Sequence, residues 1–357
     1  MSSYQRQFEK FHQNIKLERF KENEKLREKR DIILKKLNDR LKSVFEDKDE
    51  SVPKWDWFNQ GSYEMGTGIK PLEDGDYDID IGVYFNLSPD DYENPVEVKE
   101  WIFEALDGHT NSVEIKEPCV RVKYSTGNAL QYHVDLAVYS FQENQFSLLI
   151  DDDEYQLARG KKNSLDEYRY WEKADPKGVI EEFKSKFSGE DDKQYRRIIR
   201  YLKRWKDIKF SGDGNAAPVG IGINVAAYNW FSPKYEDIFA NNSDDFSALE
   251  SFVGSMLNNF TENWDEEEEK YVERFVAKLP AEPYNDVFSK MTNIQMENFK
   301  SELEDLKQGL QDASDEPDPH EACKILCNYF GDDFPVPEKK DTAEKKNRGI
   351  STSSASA

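Results

Sequence analysis

Apolar residues in the first part of the chain recur at helical spacing. From about Tyr4 to Phe45 there is neither Pro nor Gly, and Ile33, Leu37, Leu41 and Val44 follow one another at steps of four, four and three. That pattern predicts one long helix with a single buried stripe. The run Asp47-Lys48-Asp49-Glu50-Ser51-Val52-Pro53 ends it. The pattern then changes to short strand-like runs separated by turns. Trp55–Gln60, Tyr77–Phe85, Val113–Tyr124 and Leu130–Ser140 are predicted strands, with Ser125-Thr126-Gly127-Asn128 as a hairpin turn between the last two.

Beyond Pro176 the spacing is helical again. Asp191–Lys209 puts Tyr195, Ile198, Ile199, Leu202 and Trp205 on one stripe, and Pro218–Trp230, Asp244–Phe260 and Met296–Leu306 follow. Asp318-Pro319 has the form of an N-cap and first-turn pair for a last helix ending at Gly331. After Pro337 the chain is polar, small and aperiodic, which predicts a disordered tail. The segments read from this are an N-terminal helix over 1–50, a sheet-forming lobe over 51–175, a mostly helical lobe over 176–337 and a tail over 338–357.

Strand parity singles out three acids. In Tyr77–Phe85, Ile79, Ile81, Val83 and Phe85 point one way, and Asp78, Asp80 and Gly82 the other. Two carboxylates on a half-buried strand repel each other and are costly to desolvate unless a multivalent cation joins them. Mg²⁺, or Mn²⁺, suits such oxygen ligands. A second strand repeats the logic: Tyr132, Val134, Leu136 and Val138 form its apolar face and Asp135 lies opposite. If the two strands are neighbours, Asp135 completes a two-metal site. One ion would then activate an attacking hydroxyl while the other steadies a leaving pyrophosphate, and the third carboxylate can accept the hydroxyl proton.

Upstream, Trp55–Gln60 runs into Gly61-Ser62, whose backbone N–H groups and hydroxyl suit the β- and γ-phosphates of a nucleotide. Downstream, Lys193 to Lys209 holds eight basic residues against one acid, Asp207, and Arg196, Arg200 and Lys203 share a face that suits a triphosphate bound between the lobes. Asp-x-Asp alone is often a solvent-facing pair on an edge strand, and a basic helix alone a solvated face. The combination with Gly61-Ser62 and Asp135 favours chemistry. His133, on the face of Asp135, reads as a structural hydrogen-bonding group. His320, Cys323 and Cys327 share a helix face without a fourth ligand and read as buried core rather than zinc site. The acidic run Asp265–Glu269 reads as a solvated helix start.

The overall charge narrows the partners. At −23, a chain of 357 residues repels long RNA or DNA, which needs a basic surface, whereas small triphosphates need only a local cluster. No run approaches the roughly 20 apolar residues of a membrane span, and three cysteines are too few for a disulfide framework. A cytoplasmic location, no membrane partner and a monomer are expected.

Several runs together resemble the bacterial cGAS/DncV-like nucleotidyltransferases, which make cyclic oligonucleotide signals in anti-phage defence. They are Gln60-Gly61-Ser62-Tyr63-Glu64-Met65-Gly66-Thr67, Gly75-Asp76-Tyr77-Asp78-Ile79-Asp80-Ile81-Gly82, His133-Val134-Asp135 and Tyr201-Leu202-Lys203-Arg204-Trp205. The resemblance implies an α+β, bilobed nucleotidyltransferase fold, with a mixed sheet in the N-lobe, a helical C-lobe and a long N-terminal helix bracing both. It implies Asp78, Asp80 and Asp135 as Mg²⁺ ligands and Gln60, Gly61 and Ser62 as holders of the donor triphosphate. Asp76 would lie near the nucleotide, Lys203 would reach its phosphates, and Arg121 would contact the second nucleotide. Relatives often carry a Ser where this chain has Ala216-Ala217-Pro218, so no contact is assigned there. The implied activity joins two or three NTPs, ATP among them, into a cyclic product. An RNA-tailing or linear-product transferase is the alternative, and a catalytically dead scaffold or sensor a third. In related defence operons a ubiquitin-like conjugation system acts on a flexible tail ending in a small residue, and this chain ends Ser-Ala-Ser-Ala357.

Overall fold

The computed structural model describes residues 4–17, 21–46, 48–72, 75–110, 112–126, 129–142, 154–210, 217–237, 242–266 and 268–339. The tip of the Ser125–Asn128 turn, Ala216 and the tail from 340 lie outside these described residues. The described chain divides into two compact units. A sheet unit takes 17–186 and 278–286, and a helical unit takes 1–16, 187–277 and 287–357.

The sheet unit contains α2 (Lys21–Glu46), β1 (Trp55–Gln60), α3 (Gly61–Glu64), β2 (Tyr77–Asn86), α4 (Pro95–Leu106), β3 (Ser112–Ile115), β4 (Val120–Thr126), β5 (Ala129–Gln142), β6 (Glu154–Ala158), β7 (Trp171–Ala174) and α5 (Pro176–Ser185). The helical unit contains α1 (Gln5–Ile15), α6 (Gly189–Lys209), α7 (Gly220–Trp230), β8 (Tyr235–Asp237), β9 (Asn242–Ser243), α8 (Asp245–Asn258), β10 (Phe260–Asp265), β11 (Lys270–Phe275), α9 (Asn293–Asp315) and α10 (Pro319–Phe330).

The sheet runs in the order β1-β2-β5-β4-β3, with β6 on β5 and β7 on β6. β2 and β5 are parallel and the other pairs antiparallel, so the sheet is mixed. One face is covered by helices. Leu26, Ile33, Leu37, Leu41 and Phe45 of α2 and Val98, Trp101, Ile102, Ala105 and Leu106 of α4 pack on Ile79, Ile81, Val83, Phe85, Val120, Val122, Val134, Leu136 and Val138. Each such side chain contributes about 1.5–3 kcal/mol by leaving water. Alternation therefore commits the opposite faces of β2 and β5, including the three aspartates, to the side away from these helices.

The predicted long N-terminal helix is two helices. Lys16 is extended at ψ 142, and the Leu17 N–H donates to the Gly68 carbonyl at 3.4 Å. α1 buries Phe8, Phe11 and Ile15 in the helical unit, whereas α2 buries its stripe on the sheet. Ile15 and Leu26 are eleven residues apart, about three turns at 3.6 residues per turn, so the apolar stripe stays in phase across the break.

Other predicted elements also differ. The single run Val113–Tyr124 is β3 and β4, joined by a turn at Pro118 in which the Lys116 N–H donates to the Cys119 carbonyl at 2.9 Å. α5 begins at the expected Pro176 but groups with the sheet unit, because Lys177 packs over the rings of Phe58, Tyr84 and Tyr155 and donates to the Tyr155 hydroxyl at 2.5 Å. Asp265 ends β10, and Glu266, Glu268 and Glu269 lie in the turn to β11 rather than in a helix start, because β-rich Phe260–Trp264 and Tyr271–Phe275 pair with each other. α10 has its Asp318 N-cap and ends at Gly331, whose φ of 72 suits glycine. Cys323 is buried, the Cys327 thiol donates to the Phe334 carbonyl at 3.2 Å and His320 contacts the Pro337 carbonyl at 2.7 Å. None of the described helices is long and apolar enough to cross a membrane.

Candidate active site

Parallel pairing of β2 with β5 sets Asp80 beside Asp135 and Asp78 beside His133. Paired strands lie about 4.8 Å apart, so Asp80 and Asp135 leave the same sheet face as neighbours, with Asp78 two residues back. Asp78 is the open member, its side chain 58% exposed, while that of Asp135 is 14% exposed.

Two side chains engage these acids. Arg121, cross-strand from Asp135 on β4, donates from Nε to Oδ1 at 2.8 Å and from Nη2 to Oδ2 at 2.7 Å. This forked pair is the strong form of an ion pair. His133 lies between two acids, Nε2 at 3.0 Å from Asp76 and Nδ1 at 3.3 Å from Asp78. In its neutral form the imidazole donates to one and, protonated, to both. His133 thus links Asp76 to Asp78.

Gly61 closes the site from β1. Its φ is +68, and a Cβ there would lie 1.9 Å from Asp80 Oδ2. Glycine is required twice, by the backbone conformation and by the carboxylate against its Cα. Ser62 follows in the single turn of α3, and its carbonyl accepts from the Thr67 N–H at 3.0 Å. Gln60, opposite Asp80 on β1, accepts from the Tyr139 hydroxyl at 3.1 Å, and burial pushes that phenol's pKa up. Gln60, Gly61, Ser62, Asp76, Asp78, Asp80, Arg121 and Asp135 all belong to the sheet unit. Tyr139 and the Arg121–Asp135 pair were not singled out from sequence, since only the register of β4 and β5 reveals them.

The donor set fits a hard divalent ion, being all carboxylate oxygen, and the guanidinium of Arg121 stands where Asp135 needs positive charge. Among the described residues, no three His, Cys, Asp or Glu side chains are already gathered as a ligand set. Arg121 engages both oxygens of Asp135, and His133 lies against Asp78. Cys119 near Asp135 is inert, burial pushing its thiol up to about 12.

Residues 55–139, from β1 through most of β5, match the model of the nucleotidyltransferase domain of DncV-like cyclic GMP-AMP synthases. Over these residues the chain is similar to a DncV-like nucleotidyltransferase domain. It is 27% identical over 206 residues to a cyclic GMP-AMP synthase of Escherichia albertii, a match that takes in 55% of this chain and 40% of that relative's length. The chain thus spans less than half of that relative. Among solved structures it is similar to Vibrio cholerae DncV cyclic AMP-GMP synthase in complex with the linear intermediate 5′-pppA(3′,5′)pG, with TM-score 0.64 and 19% identity, over 92% of this chain and 94% of that one. It is also similar to the Bradyrhizobium diazoefficiens CD-NTase CdnG in complex with GTP, with TM-score 0.67 and 12% identity, over 96% and 98% of the two chains. At these identities the likeness is one of fold.

Outside residues 55–139, Lys203 lies on α6 in the helical unit and is buried there. The basic residues of α6 divide among several tasks. Arg196 donates to Asp192 within the helix at 2.9 Å. Arg197 forms a forked pair with the fully buried Asp245, at 2.7 and 2.8 Å, and Arg204 reaches Asp333 at 3.2 Å. Part of the basic character read from the sequence is therefore internal ion pairing of the helical unit.

Proposed function

We propose that the chain is a divalent-metal-dependent synthase that joins two or three nucleoside triphosphates into a cyclic oligonucleotide. Pyrophosphate leaves at each step, and the product signals in anti-phage defence. The observation that carries this is the pairing of Asp80 with Asp135 on adjacent parallel strands, with Asp78 on the same face and Gly61 against Asp80. In the proposal Mg²⁺, or Mn²⁺, is held by these carboxylates, and when bound it supplies acidity to the attacking hydroxyl and charge to the leaving pyrophosphate.

The remaining roles belong to the chain's own groups. Gln60, Gly61 and Ser62 hold the donor triphosphate, with Tyr139 fixing the amide of Gln60. Asp76 orients His133, which steadies Asp78. Lys203 binds triphosphate oxygens. Arg121 acts chiefly through Asp135, whose carboxylate it orients, rather than by reaching for the second nucleotide. A cyclic product is favoured over RNA tailing by the −23 charge and by the activities of the two relatives, both cyclic dinucleotide synthases. Incubation with labelled NTPs and Mg²⁺ but no RNA tests this. A phosphatase-resistant product with the mass of a cyclic di- or trinucleotide is expected, and strict dependence on added RNA would overturn it.

A further inference from the structure

α1 and α6 line a second feature within the helical unit, an open cavity of about 560 Å³. Arg6 and Lys10 of α1 line it together with Lys193, Arg196, Arg197 and Arg200 of α6, with Glu9 as the acid in its lining. In a chain with net charge −23 this concentration of cations stands against the general field. Internal pairing explains part of it. Arg197 is needed by Asp245, Arg196 is held by Asp192, and Lys193 contacts Glu190 at 2.6 Å. Arg6 and Lys10 are exposed on α1, away from its buried Phe8, Phe11 and Ile15, and take no part in the packing of that helix.

The electrostatics point the same way. Burial, together with the neighbouring guanidiniums of Arg196 and Arg197, holds Arg200 down to about 10. It is still cationic at neutral pH, but like charges crowd it, and an anion in the cavity would relieve them. Its aim is set by His12, whose Nε2 lies 3.1 Å from Arg200 Nη1. Burial and Arg200 hold His12 down to about 3, so the ring is neutral and accepts from the guanidinium.

We propose that this cavity binds a small ligand carrying two or more phosphate groups. Volume and chemistry argue for that class. The cavity falls in the range of roughly 300–1,000 Å³ used by small-molecule sites, and its cationic rows, Arg6 to Lys10 and Lys193 to Arg200, run about 6 and 10 Å along their helices at 1.5 Å per residue. A single carboxylate would engage one guanidinium, whereas a chain or ring of phosphates engages several at once, and the planar fork of arginine matches phosphate oxygens. The lining has no residue in common with the aspartate site, and the proposal does not rest on the reaction proposed for that site. Two sources share this chemistry, a nucleoside triphosphate and a cyclic oligonucleotide.

Calorimetric titration of the full chain in EDTA and low salt, with tripolyphosphate as probe, tests the proposal without turnover. The probe is expected to bind wild type and the Asp78→Asn/Asp80→Asn variant within about twofold of each other. It should bind more than tenfold weaker to Arg6→Glu/Lys10→Glu, whose exposed positions leave the melting temperature unchanged. ATP and cyclic GMP-AMP titrated alongside identify the source by which is lost in the α1 variant. Binding indifferent to the α1 substitutions, or absent from wild type, would overturn the proposal.

Discussion

Arg121 holds both carboxylate oxygens of Asp135, the residue set by parallel register beside Asp80. A protein cation thus pairs with the carboxylate that, in the proposal, a divalent ion would share. Removing it should leave a more available carboxylate. Arg121→Ala is expected to tighten Mn²⁺ binding about three- to tenfold, on the order of 1 kcal/mol as for a lost competing charged hydrogen bond, while slowing turnover because Asp135 is no longer oriented. Titration calorimetry with Mn²⁺ and a product assay separate the two effects. Weaker Mn²⁺ binding in the variant would show that Arg121 assists the ion instead of competing with it.

Gly61→Ala should cost both conformation and space. An L-residue at φ +68 loses about 1–2 kcal/mol, and its Cβ would meet Asp80 Oδ2 at 1.9 Å. The expected result is product formation at least 100-fold down with a melting temperature lower by only a few degrees. Near-normal activity would mean that Asp80 is free to move away without consequence.

Asp78→Asn with Asp80→Asn removes two of three crowded charges. The double variant is expected to lose detectable product formation while melting at or above the wild-type temperature, since like-charge repulsion falls. Retained cellular protection with this variant would favour a scaffold over an enzyme.

His12 offers a pH test. Its folded pKa lies near 3, against 6.5 for an unperturbed imidazole, because burial and Arg200 oppose its charge. Between these values the unfolded chain binds the proton that the folded chain refuses, so stability is lost as pH falls from 6.5 toward 3. His12→Gln, which keeps an acceptor for Arg200, should match wild type at pH 7.5 and lose less melting temperature on going to pH 4.5. Parallel melting curves across that range would show that His12 is protonated in the folded state.

The parity of two strands was legible because each has one strictly apolar face. Ile79, Ile81, Val83 and Phe85 go under α2 and α4, so Asp78 and Asp80 must face away, and the same holds for Asp135 opposite Val134 and Leu136. β1, the N-cap and end of α10, and the buried stripes of α2 and α6 were likewise written in local spacing and composition. Local signals could not show the break after Ile15, since no Gly or Pro marks it and the stripe stays in phase. There Lys16 is extended and the Leu17 N–H bonds to the Gly68 carbonyl. Nor could they show that Asp265–Glu269 turns a hairpin, because pairing of β10 with β11 decides that.

The sequence by itself determined which faces of β2 and β5 are polar and which glycine precedes them, because side-chain alternation and glycine's freedom are properties of a few adjacent residues. Only the tertiary structure decided that Asp80 stands beside Asp135, that Arg121 takes both oxygens of that partner, and that α6 divides its cations between internal pairs and a cavity shared with α1. These follow from strand register and helix packing between segments up to 190 or so residues apart, such as His12 and Arg200 with a separation of 188, and no local pattern encodes which distant segment a charged group will meet.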